Sequence, residues 1–159
     1  MSTLERFTRA QDAAHGGLDD ALAEVRSGRK RGHWIWYVFP QLRGLGSSHT
    51  AREFGIQGRD EAEAYLRDEV LRGRLLQAIA AIEEQLLPPH SRPLASLMGS
   101  HLDALKLVSS LTLFEAVAAD VRESHDAVAV AGHARTVLNL AATQGFNRCG
   151  FTLETLARS

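Results

Sequence analysis

Six large aliphatic residues, Leu71, Leu75, Leu76, Ile79, Ile82 and Leu86, recur at helical spacing until Pro88-Pro89 ends the run. An apolar stripe of this length is stable in water only when other elements cover it. The rest of the chain offers more helices to do so. Leu18, Ala21, Leu22 and Val25 stand at i, i+3, i+4 and i+7 and predict an amphipathic helix over about 17–28. Asp19 and Asp20 fall in its first turn, and Ser27-Gly28 end it. Further helices are expected over 3–11, 60–66, 103–113, 127–142 and 152–157, with a single turn at 94–98. Thr50-Ala-Arg-Glu53 has the form of a capping box; the other option is a helix begun by Ser48. Residues 34–39 can alternate as a strand, but a lone strand has no partner. The expected fold is all-α, a single compact multi-helix domain over residues 1–159 with short helices and loops. With 159 residues, 45% of them hydrophobic, the chain is long enough to bury a core.

Several function classes lose support at once. A net charge of −1 gives no overall attraction to nucleic acid or to an anionic membrane. The beginning, Met-Ser-Thr-Leu-Glu-Arg-Phe, has no apolar signal core, and no run approaches 18 apolar residues. A cytoplasmic location is the default expectation. Cys149 is the sole cysteine, which excludes an internal disulfide. The seven histidines show no metal-ligand spacing, so neither a metal nor a cofactor is expected.

The charge is distributed unevenly. Residues 25–52 hold Arg26, Arg29, Lys30, Arg31, Arg43 and Arg52 and no acid. Within them, His33-Trp34-Ile-Trp36-Tyr37-Val-Phe39-Pro40-Gln41 carries both tryptophans and four of the ten aromatic residues. Lys30 and Arg31 can hold phosphates, Trp34 or Trp36 can stack on a base or sugar, and His33 can move a proton near neutral pH. The competing explanation is structural. Basic residues at a helix end complement its dipole, and aromatics at such spacing commonly form core.

Two other segments can complete a site. Gly44-Leu-Gly46-Ser47-Ser48 precedes an expected helix, so it is either a turn with a serine cap or an anion-holding loop. In Asp103-Ala-Leu-Lys106-Leu-Val-Ser109-Ser110, the spacing puts Asp103, Lys106 and Ser110 in one narrow arc of a helix. Asp103 and Lys106 either pair with each other or place Lys106 and the hydroxyls around a ligand anion. Sixteen of the eighteen basic residues are arginine, which sets Lys30 and Lys106 apart.

Leu4-Glu-Arg-Phe7, Gly28-Arg-Lys30, the tryptophan block, Gly44-Leu-Gly46-x-Ser48, Ala62-x-Ala64-Tyr65-Leu66 and Lys106-x-x-Ser109-Ser110-x-Thr112-Leu113-Phe114 occur here in order. Together they resemble the family called domain of unknown function 1810, over about residues 4–155. The resemblance implies a small, mainly helical bacterial domain and no established activity. The family pattern has an Asp three residues before the threonine matching Thr152; Cys149 stands there in this chain.

Three functions are compatible with these features. The first is binding of, or action on, a small phosphorylated ligand such as a nucleotide or an ADP-ribose-like molecule. Lys30, Trp34, Trp36, Gln41, Ser48, Lys106 and Ser110 would then contact the ligand. His33 would be the general acid/base, oriented by Asp103. The second is a helical protein-interaction module with the aromatic segment as core or interface. The third is weak nucleic-acid binding, which the small size of the basic patch disfavours.

Overall fold

In the computed structural model of the protein, which describes residues 3–159, the periodic segments are helical throughout. The order is α1 (Glu5–Gln11), α2 (Leu18–Arg26), α3 (Ile35–Val38), α4 (His49–Phe54), α5 (Arg59–Arg67), α6 (Glu69–Leu86), α7 (Leu94–Leu97), α8 (His101–Ala118), α9 (His125–Thr143) and α10 (Gly150–Ala157). The fold is all-α. Among the described residues β pairing is limited to one parallel bridge, Leu42 to Ile56.

Local chemistry sets several boundaries. Ser48, Asp68, Ser100 and Ser124 each accept an amide N–H three residues on, from Ala51, Leu71, Asp103 and Ala127. Ser48 is thus the cap of α4, and Thr50 lies inside that helix. The cap at Ser100 starts α8 before Asp103, and its buried face carries it on to Ala118. The alternation at 34–39 yields one helical turn, α3, instead of a strand. Pro40 then disfavours the helical conformation for Phe39, which sits at φ −126° and ψ 73°. Leu87 ends α6 in extended geometry before Pro88 for the same reason.

Three long helices frame the core. α9 packs along both α6 and α8, α2 lies on α6, and α8 also receives α3, α5, α7 and α10. Eleven of the eighteen residues of α8 are buried, which explains why its sequence is so apolar. Tyr65 stands at the centre, its ring 5.3 Å from Phe7 and 5.1 Å from Phe114. Gln11 donates to both the Tyr65 hydroxyl and the Tyr37 carbonyl, tying α1 to α5 and α3.

One crossing brings distant segments together. After α2 the chain runs over the α7–α8 turn, where the Lys30 amide donates to the Leu97 carbonyl at 2.7 Å. Gly99, at φ +82°, allows this approach: a Cβ there would lie 2.7 Å from the Lys30 carbonyl oxygen. Lys30 is thereby delivered to the first turn of α8.

Candidate functional site

The buried Lys30 ammonium meets Asp103 Oδ2 at 2.6 Å and also donates to the Gly32 carbonyl. Only 4% of its side chain is exposed, so these acceptors replace the water it has lost. Lys106, one turn along α8, reaches the other carboxylate oxygen of Asp103 at 3.3 Å. Its ammonium also lies 4.1 Å from the centre of the Trp36 ring, a cation–π contact. Burial opposes ionisation of Asp103, but the bonds from Lys30 and Lys106 outweigh it and hold the carboxyl below the usual aspartate range.

A second carboxylate supports the cluster from behind. Glu24, on the last turns of α2, accepts the amides of Arg31 and Gly32 at 2.6 and 2.8 Å and the Trp34 indole N–H at 3.0 Å. Its pKa is lowered as well: burial works against ionisation, while the amides, the indole and the nearby Lys30 charge prevail. Glu24 therefore shapes the loop that carries Lys30 to Trp34. No spacing or motif marked this residue in advance.

The other expected site residues divide between this cluster and places away from it. Trp34 is wholly buried, with its ring 6.3 Å from Phe39 and 5.1 Å from the Lys30 ammonium. Trp36 is only partly buried and packs at the edge of the core. His33 is exposed and makes no hydrogen bond or ion pair, so Asp103 does not orient it. Gln41 is buried and donates to the Leu45 carbonyl at 3.2 Å, bracing the loop after α3. Ser48 caps α4. Ser110 is fully enclosed, and its hydroxyl has no partner. The structure therefore joins Lys30, Asp103, Lys106, Trp34 and Trp36, and leaves His33, Gln41 and Ser48 outside that set of contacts.

The last helix packs further along α8. Cys149 is the N-cap residue of α10, and its amide donates to Thr112 Oγ1 at 3.1 Å, so α10 starts against α8. The Phe151 ring stands over Gly44, at φ +106°, where a Cβ would come within 3.0 Å of Phe151 Cζ. Leu102 and Leu105, on the outer side of α8, remain exposed. A cleft of about 760 Å³ lies elsewhere, lined by Thr3, Gln57, Arg59, Asp60, Glu61, Ser159 and their neighbours. It includes none of the clustered residues.

Comparisons with known proteins agree with this architecture. The family described as "Protein of unknown function (DUF1810)" matches residues 1–135, which include Lys30, Trp36 and Lys106 and stop short of Cys149. The chain is similar to the crystal structure of the conserved hypothetical protein Rv1873 from Mycobacterium tuberculosis. They share 38% identity at a TM-score of 0.73, over 97% of this chain and 96% of that one. No protein of curated function matches. Among the described residues no helix is long and apolar enough to cross a membrane. None of their His, Cys, Asp and Glu side chains form a group of three or more able to hold a metal ion.

Proposed function

This chain belongs to the DUF1810 family, a family of unknown function, and we propose that it binds a small phosphorylated ligand, a nucleotide or an ADP-ribose-like molecule, at Lys106 and Trp36. The observation that carries this reading is the difference between the two lysines. Lys30 is enclosed and engaged by Asp103 and Gly32, so it is a structural cation. Lys106 has 26% of its side chain exposed, a long bond to a shared carboxylate, and N–H donors to spare. It lies against the half-buried Trp36, an aromatic surface suited to a base or sugar. A cation beside a half-buried aromatic ring fits a ligand with an anionic end and a flat or apolar end.

The geometry favours binding over acid–base chemistry. Asp103 is committed to two lysines, and His33 has no partner to set its tautomer.

The test is a thermal-shift screen across phosphate, nucleotides, ADP-ribose and non-phosphorylated analogues. A ligand at about 100 times its Kd adds roughly 2.7 kcal/mol of stability, an easily read rise in melting temperature. A folded sample that no phosphorylated compound stabilises sinks the proposal.

A second reading, a protein-interaction module, draws on one observation. Leu102 and Leu105 are 66% and 41% exposed at i, i+3 on α8, next to Lys106. A stable oligomer in light scattering, lost in a folded Leu102→Ser/Leu105→Ser variant, would favour it.

A further inference from the structure

We propose that Cys149 is a modification site: its thiol is oxidised by peroxide to a sulfenic acid at the start of α10, beside the hydroxyls of Ser109 and Thr152. Cys149 precedes the first turn of an eight-residue helix, whose opening N–H groups lack acceptors within the helix and carry partial positive charge. Its own amide is fixed by Thr112, so the side chain is held at that opening. The residue is partly exposed, so a small oxidant can approach it.

Thr152 is wholly buried, yet its hydroxyl has no hydrogen-bond partner. It occupies the third position of α10, the place whose side chain faces the cap residue. A neutral thiol is a poor acceptor and leaves that hydroxyl unsatisfied. A thiolate, or the oxygen of a sulfenate, supplies the missing acceptor. Burial opposes ionisation of the thiol, but Ser109, the Thr152 hydroxyl and the amides of Thr152 and Phe151 prevail and hold its pKa below the ordinary thiol value. Arg148, the preceding residue, is engaged by Glu115 at 2.8 Å.

The step balances as Cys–S⁻ + H2O2 + H⁺ → Cys–SOH + H2O. The thiolate attacks one peroxide oxygen and the O–O bond breaks. Sulfur gives up two electrons, and the departing hydroxide takes the proton.

The test compares the folded full chain with the same chain in urea, using iodoacetamide at pH 6.5 and intact mass as readout. Because the chain has one cysteine, any single adduct reports on Cys149. The folded protein should react faster, with a net gain of about threefold for each pH unit by which its titration midpoint lies below the unfolded one, since nucleophilicity falls along with pKa. Peroxide followed by dimedone should give one adduct, absent in Cys149→Ser. Thr152→Val should bring the folded rate toward the unfolded one while Thr152→Ser preserves it. If Thr152→Val does not fold, Ser109→Ala should show the same slowing. A folded protein that reacts no faster than its unfolded chain, or yields no dimedone adduct, overturns the proposal. So does a folded Thr152→Val variant that retains the full wild-type rate.

Discussion

Lys30 and Asp103 are 73 residues apart in the chain and 2.6 Å apart in the fold, and their ion pair joins the loop after α2 to the first turn of α8. Asp103 divides its two oxygens between an enclosed lysine and a partly exposed one. That division separates a structural cation from an available one.

Removing Asp103 should cost far more than removing Lys106. Asp103→Ala leaves the Lys30 ammonium buried and unpaired, at a cost of about 3 kcal/mol. Lys106→Ala removes a partly exposed partner of the same carboxylate and should cost about 1 kcal/mol or less. Urea unfolding of the two variants measures the difference. Equal costs would mean that the two lysines are not distinct in kind.

The two tryptophans should separate in the same way. Trp34→Ala empties a fully buried site and should cost about 3–5 kcal/mol, enough to threaten folding. Trp36→Ala, at the edge of the core, should leave a cooperatively folded protein with a much smaller loss. Circular dichroism melts decide this. A Trp36→Ala variant as unstable as Trp34→Ala would place both rings in the core.

Acid should weaken the fold through Asp103 and Glu24. Both carboxyls have folded pKa values below their usual ones, so they bind protons less readily when folded. Their contribution is complete above the unfolded values, near ~4, and is lost as pH falls through the lower folded values. Melting temperature should therefore drop steeply below about pH 4. In Glu24→Gln it should start lower at neutral pH and fall less steeply with acid. An unchanged acid slope in that variant would contradict the assignment.

Gly99→Ala tests how the cluster is assembled. The new Cβ would meet the Lys30 carbonyl at 2.7 Å, with the backbone at φ +82°. Strain of this kind costs roughly 1–3 kcal/mol, and here it pushes Lys30 away from Asp103. A double-mutant cycle with Lys30→Met should show strong coupling, whereas purely additive losses would separate Gly99 from the ion pair.

The helices were readable wherever one face alone is apolar, as at Leu18–Val25 and Leu71–Leu86, and where Ser48 and Pro88 mark an end; the caps at Ser100 and Ser124 were not read, and α8 and α9 begin earlier than their apolar spacing suggests. α3 was not, because Trp34 to Phe39 alternates and the choice of a helical turn rests on Pro40 and on the absence of a partner strand. The i, i+3 pair of Asp103 with Lys106 could be read from spacing. The pairing with Lys30 could not, since it depends on how the chain crosses α7. Ser110 shares the arc of Asp103 and Lys106 yet is fully enclosed, because α8 is buried without a break from Leu107 to Phe114. Cys149 could be placed in a loop, but its role as the cap of α10 needed Thr112 to hold it there.

The central claim, that Lys106 and Trp36 receive the anionic and flat parts of one ligand, is tested most directly by titrating the best phosphorylated compound of the thermal screen into wild type and Lys106→Ala by calorimetry. Wild type should bind one-to-one and saturably. Lys106→Ala, otherwise fully folded, should lose at least about tenfold in affinity, or about 1.4 kcal/mol. Equal affinity in the two proteins would rule out Lys106 as the anion's partner.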